Sequence, residues 1–219
     1  MPNAPDHLKM TPFYGFFHYL AATIYGMWFR GEVVGLENFP ATGPFLIASN
    51  HASHLDPPIV GSQVARQMRF FARKSLWNSR LSSWWLDQVE TIPVDRDSGD
   101  IGAIKRVLQA LKEDRAVVLF PEGTRSPDGQ LQKAKAGVGL MACKTGVPVV
   151  PCRVYGSFAA FGKGAAIPRF GSPVTVVFGA PIPARDYDDP TAGKQRYEVA
   201  AQRIMDRIAA LPEPVYPVI

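Results

Sequence analysis

The strongest constraint on how this chain folds is a series of short, almost wholly apolar runs. Phe45–Ser49, Val117–Phe120 and Val149–Tyr155 carry hardly any polar side chains. Strands with that composition are buried on both faces, as in parallel sheets covered by helices. Four further runs have strand character: Glu32–Leu36, Arg69–Ala72, Thr91–Val94 and Val174–Phe178. The stretches between them have a helical period. From near Ser98, one face collects Ile101, Ile104, Val107, Leu108 and Leu111. Helices are also expected around Ile59–Ala65, Ser82–Gln88, Val138–Thr145 and Lys194–Leu211. The alternation predicts an α/β fold: a single domain with a largely parallel or mixed sheet flanked by helices. A length of 219 residues suits one such domain.

Ahead of this domain, residues 1–30 form a separate N-terminal region, leaving 31–219 as the main unit. Thr11 followed by Pro12 reads as a helix cap with proline in the first turn. The helix runs to about Phe29 and stops at Gly31. One stripe holds Phe13, Phe16, Phe17, Leu20, Ile24, Met27 and Trp28; another holds Gly15, His18, Ala22 and Gly26. Two placements fit. The helix packs in the core, or it lays its small stripe on the protein and its aromatic stripe in a membrane interface. A full span is disfavoured, because the run is about 18 residues with His18 and two glycines inside it. Lys9 is the single lysine or arginine ahead of it, among other polar residues, which disfavours a signal peptide.

The net charge is +5 and is unevenly distributed. From Pro57 to Leu86 there is no acid, but there are Arg66, Arg69, Arg73, Lys74 and Arg80. From Gly129 to Arg185 there is again none, against Lys133, Lys135, Lys144, Arg153, Lys163, Arg169 and Arg185. Either these are ordinary solvated charges, or two distant segments build one basic face for an anionic partner. Trp77, Trp84 and Trp85 lie in the first window. Tryptophan among cations suits a bilayer interface and also single-stranded nucleic acid, but no nucleic-acid-binding motif accompanies them. Two cysteines, Cys143 and Cys152, are too few for a disulfide scaffold.

Two clusters carry candidate chemistry, each directly after a candidate strand. The first is Asn50-His51-Ala52-Ser53-His54-Leu55-Asp56. Its spacing lets Asp56 fold back onto one imidazole nitrogen of His51, fixing the tautomer so that the other nitrogen accepts a proton. A helix cap at Asp56, before Pro57, fits the same spacing. The second is Phe120-Pro121-Glu122-Gly123-Thr124-Arg125-Ser126. Glycine permits close backbone approach, the hydroxyls donate, and arginine offers a planar fork to phosphate. A polar turn fits it too. A metal site is not expected: His51, His54 and Asp56 lack a further histidine nearby, the others being His7 and His18. Nor does Gly156 to Lys163 make a phosphate loop, since five residues separate Gly156 from Gly162 and Gly164 replaces the metal-binding hydroxyl.

Together the clusters resemble the first and third motifs of the glycerolipid acyltransferases, and best those of the bacterial lysophosphatidic acid acyltransferases. Val34 to Pro40 is similar to the lead-in of that family, Ile92-Pro93-Val94-Asp95-Arg96 to its second motif, and Val147 to Pro151 to its fourth. The resemblance runs from about Glu32 to Pro183. It implies a glycerol-3-phosphate acyltransferase-like fold, with His51 as general base and Asp56 as its orienting carboxylate. It also implies that Arg96, Glu122, Gly123, Thr124 and Arg125 bind the acceptor, with Ser53 and Lys135 as further candidates. Glu90 stands where the family's second motif starts with glycine, and Pro93 where it has phenylalanine.

The implied reaction moves a fatty acyl group from acyl-CoA or acyl carrier protein to lysophosphatidic acid, giving phosphatidic acid, with no cofactor and no metal. The implied setting is the cytoplasmic side of a membrane, with the protein peripheral or monotopic, and nucleic acid is not an expected partner. Alternatives are an acyltransferase for another lysolipid or for glycerol 3-phosphate, a thioester hydrolase using the same His–Asp pair, or a non-catalytic lipid-binding domain.

Overall fold

The computed structural model describes residues 10–94 and 101–213. Arg96 and the expected helix start near Ser98 therefore lie outside the described residues. Among the described residues the strands are β1 (Val33–Val34), β2 (Phe45–Ser49), β3 (Met68–Arg69), β4 (Phe71–Arg73), β5 (Ile92–Val94), β6 (Ala116–Leu119), β7 (Val149–Tyr155) and β8 (Thr175–Phe178). Six form one sheet in the order β1-β8-β7-β2-β6-β3. Every neighbouring pair in it is parallel except β7 with β8. The other two, β4 and β5, form a separate parallel pair.

The apolar runs behave as their composition requires. All five residues of β2 are buried, as are all four of β6. Alternate residues feed two cores. Leu46, Ala48, Val117 and Leu119 face α4 (Ile101–Lys112), α5 (Ala136–Thr145) and α8 (Arg196–Ala209), meeting Val107, Leu111, Val138, Ile204 and Ile208. Phe45, Ile47, Val118 and Val150 face the other way, towards Tyr25, Ile59, Val60 and Ala160. Those residues belong to α1 (Pro12–Trp28), α2 (Asp56–Ser62) and α6 (Ser157–Phe161). The remaining helices are α3 (Arg80–Gln88) and the short α7 (Ala184–Tyr187). α5 and α8 approach so closely that a side chain at Gly139 would run into the Tyr197 carbonyl.

The run Arg69–Ala72 is not one strand. Met68 and Arg69 pair with β6, whereas Phe71 to Arg73 pair with β5. The break falls at Phe70, whose carbonyl accepts from Ile92 N–H at 2.7 Å and whose ring packs over Gly61. Helix α2 also begins earlier than its apolar residues suggest, at Asp56. The two prolines that follow occupy its first turn, where their missing N–H groups are no loss.

Helix α1 is capped by Thr11, whose hydroxyl accepts from Tyr14 N–H at 3.3 Å. Two tyrosines tie it to the sheet: the Tyr14 hydroxyl accepts from Met68 N–H at 3.3 Å, and the Tyr25 hydroxyl donates to Val174 C=O at 2.7 Å. The aromatic stripe is divided. Phe13 and Phe17 meet Trp84 and Trp85 of α3 edge-on, at 5.2 and 5.9 Å between ring centroids. Phe16, Leu20, Ile24, Met27 and Trp28 remain exposed. The small stripe is not the buried side throughout, since Gly26 faces solvent.

Candidate functional site

Strands β2 and β6 are adjacent and parallel, with Ala48 opposite Leu119. Their carboxyl ends therefore release two loops side by side, and those loops are the two motifs. Main-chain groups of β7 and α6 fix the first. Asn50 accepts from Val154 N–H at 2.7 Å and donates to Val154 C=O at 3.1 Å, extending the sheet with a side chain. Asp56 is wholly buried, and its Oδ2 lies 3.0 Å from His51 Nδ1. The same oxygen accepts the N–H groups of Ala52 and Ser53, both at 2.7 Å. The helix-cap reading of this spacing does not hold: Asp56 is the first residue of α2, and its carboxylate turns back to residues 51–53 instead of capping the helix. With Asp56 ionised, the bonded Nδ1 carries the proton, and Nε2 is left as the basic nitrogen.

The second loop grips His51 from the other side. Its backbone N–H donates to Glu122 Oε1 at 3.0 Å, and its carbonyl accepts from Ser126 N–H at 2.7 Å. The Phe120 ring stacks on the imidazole at 4.2 Å. Both backbone groups and one ring face of His51 are therefore set by residues some 70 positions away. Glu122 is buried and turned inward, its second oxygen accepting from Gln132 Nε2 at 3.1 Å. Burial pushes its pKa up to about 6, against the lowering effect of those two bonds.

Ser53, a candidate for substrate binding, is likewise turned inward. Its hydroxyl is buried, donating to the Phe161 carbonyl at 2.7 Å and accepting from Leu55 N–H at 3.1 Å. Gly123, Thr124, Arg125 and Lys135 do reach a shared space. Gly123 has φ +69°, and a Cβ there would meet the Lys135 side chain at 2.9 Å, so glycine permits the turn and the lysine's close approach. Lys135 N–H closes the loop on Pro121 C=O at 2.9 Å.

That space is a cavity of about 1020 Å³. Its polar end holds the motif residues His51, His54, Gly123, Thr124 and Arg125 with Lys135, and Arg73 of β4 also lines it. Its apolar end is walled by Phe17, Leu20, Ile24, Phe70, Phe71, Trp85, Leu86 and Val89, with His18 among them. Burial lowers the His18 pKa, and burial followed by the Arg125 charge lowers that of His54, so neutral imidazoles are favoured at both ends. Leu20 and Ile24 are partly exposed as well as lining, so the cavity opens along the flank of α1. Glu90 is held away from this space by Arg69, at 3.0 Å, and Arg115, at 3.8 Å. Its φ of +52° is a conformation that glycine takes more easily. No group of three or more His, Cys, Asp or Glu side chains is placed to hold a metal ion among the described residues.

Glu122, Phe120 and Ser126 hold His51 only because β6 neighbours β2, which linear spacing does not disclose. Their proximity to the motif was visible; their direction was not. The apolar wall was equally hidden, since it gathers α1, α2, α3 and β4 around one space.

The family model described as Acyltransferase matches residues 30–155. A chloroplast 1-acyl-sn-glycerol-3-phosphate acyltransferase of Arabidopsis thaliana is 30% identical over 161 residues, which are 70% of this chain and 45% of that protein. The chain thus spans less than half the length of that relative. The 1-acyl-sn-glycerol-3-phosphate acyltransferase of Bacillus subtilis is 29% identical over 160 residues, 71% of this chain and 79% of that one. The crystal structure of the 1-acyl-sn-glycerophosphate acyltransferase from Thermotoga maritima shares the fold, with a TM-score of 0.72 at 24% identity. The match covers 92% of this chain and 81% of that chain.

Proposed function

The chain belongs to the acyltransferase family, and from that premise we propose that it transfers a fatty acyl group from a thioester, acyl-CoA or acyl carrier protein, to the free hydroxyl of lysophosphatidic acid. The observation that carries this reading is the His51–Asp56 pair, 3.0 Å apart, at the junction of a cationic pocket and an apolar cavity. The acceptor phosphate sits against Arg125 and Lys135, with Arg96 a further candidate. The fatty chain lies along Phe17, Phe70 and Trp85.

His51 Nε2 takes the proton of the acceptor hydroxyl as its oxygen attacks the thioester carbonyl. Asp56 stabilises the imidazolium that forms. That attack makes the C–O bond; collapse of the tetrahedral intermediate then breaks the C–S bond and returns the proton to the departing sulfur. A thiolate leaves readily, so a base and positioning suffice; a placed base typically contributes on the order of 10²–10⁴ in rate. No acyl-enzyme is required.

The site works at a membrane surface. The cavity opens beside the exposed residues of α1, so a lipid enters without crossing water. Among the described residues no helix is long and apolar enough to cross a membrane, and α1 lies along the protein, tied to it by Tyr14 and Tyr25. The test is a thioester-cleavage assay with a panel of lysolipid acceptors, glycerol 3-phosphate and a no-acceptor control. Thiol release that requires lysophosphatidic acid and yields phosphatidic acid supports the proposal. Equal release without an acceptor would make the protein a hydrolase, and preference for another acceptor would replace the substrate named here.

A further inference from the structure

The turn from Gly162 to Gly171 takes no part in the cavity, yet it carries Ile167 and Phe170, 76% and 72% exposed. On α1, Met27 is 74% exposed. The turn is held by hydrogen bonds: Ala165 N–H donates to Gly162 C=O at 3.2 Å, Arg169 N–H to Ala160 C=O at 2.9 Å, and Gly171 N–H to Trp28 C=O at 2.8 Å. The Phe170 ring meets Trp28 edge-on at 5.5 Å. Its apolar tips therefore continue the outer face of α1 at that helix's carboxyl end. Lys163 and Arg169 are exposed beside them, and no acid occurs in the sequence from 129 to 185.

Large apolar side chains displayed on an ordered turn among cations fit an apolar layer with an anionic rim. We propose that this turn is a second membrane-insertion element, seating Ile167 and Phe170 among lipid chains while Lys163 and Arg169 meet anionic headgroups. The proposal rests on the membrane reading of α1 given above. A protein seated on one helix alone can rock about that helix's axis. A second contact at one end stops the rocking and keeps the Leu20–Ile24 flank, where the cavity opens, turned to the bilayer.

The test uses the full chain and two kinds of vesicle, phosphatidylcholine alone and phosphatidylcholine mixed with phosphatidylglycerol. Ile167→Ser with Phe170→Ser should lower partition onto the mixed vesicles on the order of tenfold or more, since two large apolar groups no longer insert. Circular dichroism and turnover in detergent micelles should match the parent. Phe16→Ser with Met27→Ser on α1 serves as the comparison. If that pair loses binding while the turn pair binds like the parent, the turn is not an insertion element and the membrane reading stands. If the parent itself binds neither vesicle, the membrane reading fails and the turn proposal falls with it. Lys163→Glu with Arg169→Glu should erase the preference for anionic vesicles; an undiminished preference overturns the headgroup contact.

Discussion

Glu122 distinguishes two accounts of the second motif. The family resemblance makes it an acceptor ligand, whereas the geometry makes it a brace for His51. Replacing it with alanine leaves the His51 N–H buried without its acceptor, a loss of about 1–3 kcal/mol. If that loss falls on the reactive arrangement, kcat drops roughly five- to 150-fold at 1.4 kcal/mol per decade, while the acceptor KM stays near its parent value. A raised acceptor KM with kcat preserved would refute the bracing role. Glu122→Gln probes the charge alone. Its carbonyl still accepts from His51, and a flipped Gln132 carboxamide still bonds its amide. The parent carboxyl has a pKa of about 6 instead of 4.5, raised by burial. The folded state thus holds this proton more tightly than the unfolded chain. Its favourable contribution is complete below about pH 4.5 and is lost as pH rises through about 6. The shift corresponds to about 2 kcal/mol before solvent screening and about 1 kcal/mol after it. Urea unfolding of parent and Glu122→Gln should therefore diverge by about 1 kcal/mol between pH 4.5 and 7, with the variant gaining. A stability difference that stays flat across that range would contradict the buried charge.

Three further outcomes follow from the site. Asp56→Asn should lower kcat/KM by about 10²–10⁴, because an amide oxygen in the place of Oδ2 can accept the same bonds but carries no charge to stabilise the imidazolium; near-parent turnover in a folded variant would exclude the pair as the base. Arg125→Ala should raise the KM of a phosphate-bearing acceptor more than it lowers kcat, as steady-state kinetics would show. Ser53→Ala should cost about 1–3 kcal/mol in urea unfolding, through the lost bond to Phe161, and leave the acceptor KM unchanged.

The sequence disclosed what depends on local pattern. Runs of one character became strands with the expected ends at β2 and β7, because burial on both faces demands unbroken apolarity. Where burial was uneven, local pattern misled. The stretch around Phe70 reads as one strand, yet the chain leaves one sheet there and joins another, a choice made by Ile92 and Gly61 from elsewhere. The His51–Asp56 pair was legible because its partners are five positions apart. The roles of Glu122 and Ser53 were not, since residue type says that each can hydrogen-bond and only the neighbouring strand or helix decides to what. The tyrosines that dock α1 passed unnoticed for the same reason: their hydroxyls find main-chain partners at Met68 on β3 and at Val174, just ahead of β8.

The parallel pairing of β2 with β6 divides the chain's labour. The residues that align His51 come from the loops leaving those two strands and from the β7 and α6 positions that clasp them. The intervening chain supplies much of the cavity wall, including Phe70, Phe71, Trp85, Leu86 and Val89, without a hydrogen bond to the His51 or Asp56 side chain among the described residues. Chemistry and capacity are thereby written in different stretches of sequence. A designer could recut the wall between β2 and β6 to admit a bulkier or shorter guest while leaving the proton-transfer machinery as it stands.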